Sequence, residues 1–245
     1  RNSHWQEVYF GDGFDVAFRP DNNRYVYAMS QGGNVGYVDR ETGKTTFIKP
    51  THPEGKELRF NWNAAFCQDP FNACGIYYGS QFVHYSKDCG QTWEIISPDL
   101  TTNDTVRQRR DTGGLTYDVT SAENNTTIIA ISPSPADANV IWVGTDDGNL
   151  QLTRDRGKTW TNLLSRLPGV KPGSWIPFIE VSQKNAGEAF VVVNDYRRND
   201  FRPMVFHTTD FGQTFRQIAD EKKVQGHALS ITQDPEAPKH LWLGT

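Results

Sequence analysis

Short apolar runs separated by polar turns recur along the whole chain. Examples are "GIYYGS", "VIWVGT", "AFVVVN" and "LWLGT". Runs of four to six apolar residues bounded by Gly, Asn, Asp and Pro predict strands, and patterns with a helical period are nearly absent. The segment "FCQDPFNACGIYYGS" (66–80) aligns without a gap to "ISPSPADANVIWVGT" (131–145). "TQDPEAPKHLWLGT" from Thr232 and "FRPDNNRYVYAMS" from Phe18 fit the same frame, and "VSQKNAGEAFVVVN" from Val181 is a looser copy. Each copy is an apolar strand, a Pro/Asp/Asn turn, and a second strand with an aromatic at a fixed place. Those aromatics are Tyr27, Tyr77, Trp142, Phe190 and Trp242, spaced by 50, 65, 48 and 52 residues.

After the aromatic strand comes a Gly/Asn/Asp turn such as "GTDDGN". A third strand, a polar octad and a short fourth strand follow. Four short strands repeated about every 50 residues predict the blades of a β-propeller. The octads are Ser86-x-Asp88-x-Gly90-x-Thr92-Trp93, Thr153-x-Asp155-x-Gly157-x-Thr159-Trp160 and Thr208-x-Asp210-x-Gly212-x-Thr214-Phe215. They match the Asp-box, also called the BNR repeat. "DRETGKTTF" from Asp39 reads as a degenerate fourth copy. An Asp here can accept hydrogen bonds from its own turn. The Gly supplies positive φ, and the aromatic anchors the hairpin on its blade. A structural staple is the expectation, not a repeated active site.

With these octads the chain resembles the sortilin/Vps10-like Asp-box propellers of bacteria, many of them loosely labelled glycosyl hydrolases. Phrases such as "GDGFDV", "SQGGN", "RFNWN", "ISPDLT" and "TTIIAISP" are in the same style, and the resemblance spans residues 1–245. It implies export beyond the cytoplasm, to the periplasm, cell surface or medium, and further domains in the same polypeptide. The opening "HWQEVYF" resembles the last strand of a blade, and "HLWLGT" stands in the middle of a new one. Four blades with half-blades at both ends are expected to be a partial ring from a longer chain. Closure into a five-bladed ring is the alternative.

Composition narrows the function classes. The net charge is −4 and the charges are interspersed, so no nucleic-acid surface is expected. The run "RQRR" (107–110) is flanked by Asp104 and Asp111 and reads as a solvated loop. No apolar run approaches the roughly 18 residues of a membrane helix. The cysteines lack zinc-site spacing, and neither a metal nor a cofactor is expected. Cys67 and Cys74 flank a turn, which leaves a cross-hairpin disulfide or free thiols open, and Cys89 is expected to be exposed. "DDGN" lacks the ligand spacing of a calcium loop and reads as a plain turn.

In such propellers ligands meet the channel or the rim opposite the Asp-boxes. Three unusual loops fall there: Ser97–Asn125, with Asp99, Arg107, Arg109, Arg110 and Tyr117; Leu167–Pro177, with Trp175; and Asn194–Pro203, with Tyr196 and Arg197. Arg59, Asn61, Trp62 and Asn63 are expected near the channel mouth. These Arg and aromatic groups suit a protein or glycan partner, or other domains of the same chain. The alternative is a sialidase- or xyloglucanase-like glycoside hydrolase, which needs two convergent carboxylates. Asp12, Asp15, Asp146 and Asp147 are its candidates, with Asp99 beside them. The six scattered His residues suggest no site.

Overall fold

A strand that is apolar on both faces must be covered on both. The run Ala189–Asp195 is buried along its whole length, and so is Ile141–Thr145. The computed structural model, which describes residues 7–111, 113–115, 120–122 and 124–245, satisfies this demand by stacking sheets side by side.

Four antiparallel four-stranded sheets follow one another. The first holds β1 (Val16–Arg19), β2 (Asn22–Ser30), β3 (Asn34–Asp39) and β4 (Thr45–Phe47). The second holds β5 (Phe66–Gln68), β6 (Ile76–Gly79), β7 (Val83–Ser86) and β8 (Glu94–Ile95). The third holds β9 (Ile128–Pro133), β10 (Ile141–Thr145), β11 (Leu150–Thr153) and β12 (Thr161–Asn162). The fourth holds β13 (Trp175–Val181), β14 (Ala189–Asp195), β15 (Asp200–Thr208) and β16 (Arg216–Gln217). A two-stranded fifth sheet holds β17 (Ser230–Gln233) and β18 (Leu241–Gly244). The leading strands β5, β9, β13 and β17 are neighbours in turn. This is an arc of four-stranded propeller blades, the fold class the sequence predicts, followed by a two-stranded sheet.

The hydrophobic cores lie between blades rather than within them. Tyr27 and Met29 share one cluster with Ile76 and Tyr78 of the next blade. Tyr77 shares the next with Ile128 and Ile131, and Trp142 another with Ile176, Val191 and Phe206. Phe190 shares the last with Ala228 and Ile231. Each marker aromatic therefore faces the following blade, and Tyr27, Tyr77, Trp142 and Phe190 are at most 3% exposed. Trp242 occupies the same frame but no described residue covers its outer face, and it is 69% exposed.

The three octads close the same hydrogen-bond circuit. The Asp carboxylate accepts the Thr N–H and hydroxyl, at 2.8 and 2.6 Å for Asp88 with Thr92 and for Asp155 with Thr159. Asp210 with Thr214 repeats it at 3.0 and 2.6 Å. The leading hydroxyl donates to that carboxylate and accepts the Gly N–H. The bonds from Thr159 and Thr214 hold the carboxyls of Asp155 and Asp210 down at about 2.

The octad also reaches backwards, which corrects the expectation that it fastens a hairpin to its own blade. A Cβ on Gly90 would strike Ile48, one on Gly157 the carbonyl of Ile96 at 2.3 Å, and one on Gly212 Leu163. Ile48, Ile96 and Leu163 each follow the last strand of the preceding blade. The indole N–H of Trp93 donates to Ile48 O at 2.8 Å, and that of Trp160 to Ile96 O at 3.3 Å. Phe215 has no such donor, and Arg166 of the preceding segment bonds Gly212 O instead.

Other expectations change in detail. The degenerate copy at Asp39 makes no such circuit; Asp39 caps its own turn and pairs with Arg24. Cys89, buried at 4%, is disulfide-bonded to Cys74, while Cys67 is a free thiol. The residue before the octad Gly bonds the turn between the first two strands: Cys89 N to Cys74 O, Arg156 N to Asn139 O, Phe211 N to Gly187 O. That adjacency decides the pairing. The start of "HWQEVYF" and Tyr117 lie outside the described residues, and Glu7–Phe10 forms no strand.

Gly157→Ala should cost roughly 1–3 kcal/mol from overpacking on top of the strain of φ +94. Gly43→Ala, at φ +72 with open space around it, should cost only the strain, about 1–2 kcal/mol. Urea midpoints at constant slope measure both.

Candidate functional site

The rim opposite the octads carries the turns between second and third strands and the connections between blades. The turn joining β10 to β11 contains Asp146 and Asp147, and both are buried. Asp146 accepts from Thr127 N–H at 2.9 Å, Thr127 Oγ1 at 2.6 Å and Asn61 Nδ2 at 3.1 Å. Burial outweighs these bonds and pushes its carboxyl up to about 7. Asp147 accepts the Thr102 N–H and hydroxyl, both at 2.7 Å, and the Thr145 hydroxyl. Both acids tie inter-blade connections to the rim. Neither faces solvent, so their candidacy as catalytic carboxylates fails on access.

Arg59 lies on the rim between the second and third blades, not at the channel mouth. It pairs with Asp99 at 2.7 Å, and its N–H bonds Gln81. Asn61 is buried against Thr127 and Asp146. Trp62 is half-buried in a shallow dip with Lys49 and Phe60. Asn63 does reach the central cavity. Arg109 and Arg110 are exposed, pair with Asp111 and Glu57, and line a 160 Å³ pocket beside Arg59 and Arg107.

The fourth blade gathers Trp175, Tyr196 and Arg197. The Arg197 guanidinium carbon stands 3.3 Å from the Trp175 ring centre and 4.4 Å from that of Tyr196. Trp175 is the first residue of β13 rather than a loop tip, so the preceding loop ends at Ser174. Asn194–Pro203 likewise lengthens the hairpin instead of forming a loose insertion. β14 ends at Asp195, Tyr196–Arg198 makes one tight turn, and β15 begins at Asp200. Asn199, at φ 61, lets the chain reverse. Arg198 braces the turn on Asp195 at 2.6 Å, Pro172 O and Ser174 Oγ.

A central cavity of 380 Å³ is lined by β5, β9 and β13. Asp15 and Glu180 both line it, with Asn63 and Cys67. Desolvation raises the carboxyls of Asp15, which stays accessible, and of Glu180, which accepts the Gln233 N–H at 3.2 Å. Burial pushes the Cys67 thiol up to about 12, so it is no nucleophile near neutrality. Glu180 escapes sequence reasoning, although the alternation of β13 could have placed it beside Phe178 on the inner strand. Asp12 is exposed, and its N–H bonds Gln31.

No protein-family model and no curated protein matches the chain. Solved structures do. An ancestral GH74 enzyme matches with a TM-score of 0.62 at 15% identity over 92% of this chain and 28% of its own. The extracellular domain of BT4673 from B. thetaiotaomicron gives 0.60 at 11% identity, over 96% and 26%. YCF48 bound to D1 peptide gives 0.53 at 14% identity, over 95% and 60%. These likenesses establish the β-propeller fold. The chain spans less than two thirds of the length of each.

The unfolded chain releases the Asp146 proton near 3.8 while the native state holds it to about 7. The native state thus binds the extra proton, and stability falls as pH rises from about 4 to 7. Asp146→Asn should flatten that slope in urea midpoints taken across the interval; an unchanged slope contradicts the assignment.

Proposed function

We propose that the chain is an exported binding scaffold that presents this rim, and with it the channel mouth, to a polypeptide or glycan partner. One observation carries the reading. The acids of the rim turn are buried and hydrogen-bonded, whereas Arg109, Arg110 and Arg197 are exposed and Trp175 and Tyr196 half-buried beside Arg197. That is the chemistry of an interface. The peptide-bound YCF48 shares the fold and supports the reading by analogy. The Cys74–Cys89 disulfide supports an oxidising compartment, hence export. The octads support kinship with the Vps10-like Asp-box propellers.

A second reading, glycoside hydrolysis, is favoured by Asp15 and Glu180 facing one cavity. On that reading activity on a polysaccharide panel is lost in Asp15→Asn and in Glu180→Gln.

A photo-crosslinking residue decides for the scaffold. Placed at Tyr196, it should capture a partner from the native envelope fraction that the same residue at Thr92, on the octad rim, does not. Equal capture from both rims, or from neither, contradicts the proposal.

A further inference from the structure

We infer that Arg197 is the receptor for a carboxylate of an acidic peptide, an inference that rests on the rim being the partner surface. Other arginines of the rim are already paired. Arg59 is held by Asp99, Arg107 by Asp104, Arg198 by Asp195 and Arg202 by Asp200. Arg197 makes no hydrogen bond or ion pair among the described residues. The acid whose charge reaches it is Asp146, which is buried and taken up by Thr127 and Asn61. Two rings, not an acid, fix the guanidinium in place.

That arrangement matters because of where the donors point. A guanidinium lying against ring faces keeps its N–H groups in its own plane, free for a bidentate acceptor. Stacking also removes much of the side-chain entropy that capture of an anion otherwise costs. Arg107 and Arg198, which both approach Gly173, are paired, and Lys171 shares Asp200 with Arg202. A single unpaired guanidinium fork, with no second one to close on the same anion, suits a carboxylate better than a dianionic phosphate.

The same geometry favours a peptide over a sugar. Glycan sites offer a free aromatic face, but Arg197 lies on Trp175, and Tyr196 lies between Arg197 and His227, whose ring centre is 4.6 Å away. His227 continues to Phe201 at 6.0 Å, which is 53% exposed beside a 630 Å³ cleft. The carboxylate on Arg197 thus has an apolar foothold for a neighbouring side chain within one strip. The donor is either a chain terminus or an Asp/Glu side chain.

The experiment selects a displayed library of random dodecapeptides on the whole chain, then compares the winners on wild type, Arg197→Gln and Arg197→Lys. Winners should carry Asp, Glu or a free C-terminus. Arg197→Gln should weaken them roughly tenfold to a hundredfold, and Arg197→Lys should recover only part. Amidating the C-terminus or replacing the acid by its amide should match Arg197→Gln, and the arm that does so identifies the donor. Winners that bind within twofold on Arg197→Gln overturn the carboxylate receptor but leave the rim standing if Phe201→Ser weakens them. No winners, with tetragalacturonate bound through Arg197, overturns the peptide assignment. No winners and no oligosaccharide bound overturns the rim reading as well.

Discussion

In the second, third and fourth blades a hydroxyl at the end of the third strand receives the amide of a glycine four residues on, while an aspartate between them takes the amide and hydroxyl of a threonine. This circuit holds the glycine in a positive-φ conformation at a fixed height. There it lies flush against the residue that leaves the preceding blade. No side chain fits between them, so the next blade stands at one separation from its neighbour. The inter-blade cores then fill from both sides, and the rim loops inherit their spacing.

The frame repeats with little variation. The N–H of Ile48, Ile96, Leu163 and Ile218 bonds the carbonyl of Val35, Val83, Leu150 and Val205 in turn, thirteen residues earlier each time. Variation is confined to what hangs on the frame. A cysteine pair replaces packing at the octad of the second blade, and an arginine replaces an indole N–H at the fourth blade. The rim follows the same economy, since buried Asp146 and Asp147 bind inter-blade connections and leave surface chemistry to Arg197, Trp175 and Tyr196.

The blade count, the strand grammar and the octads are legible in the sequence because they rest on local turn chemistry and a period of about 50 residues. The rim acids are not, because "DDGN" looks like any solvated turn. Their burial is imposed by Thr102 and Thr127, which arrive from a long connection. The pairing of Cys74 with Cys89 is hidden in sequence distance but visible in the frame. Those two positions align with Asn139 and Arg156, and with Gly187 and Phe211, whose backbones touch. Trp175, Tyr196 and Arg197 are each readable as exposed candidates. Their meeting on one strip depends on the hairpin of the fourth blade running on past a register shift between Val193 and Asp195, which the polar run "NDYRRNDFRP" conceals.

The central claim is that each octad fastens its blade to the preceding one. The most direct measurement is a double-mutant cycle between Asp210→Ala and Leu163→Ala, read from urea unfolding. Asp210 does not touch Leu163; it positions Gly212, which lies against the end of the Leu163 side chain. The account predicts a coupling energy of at least about 0.5 kcal/mol between the two substitutions. Strict additivity would confine the octad to its own hairpin and contradict the account.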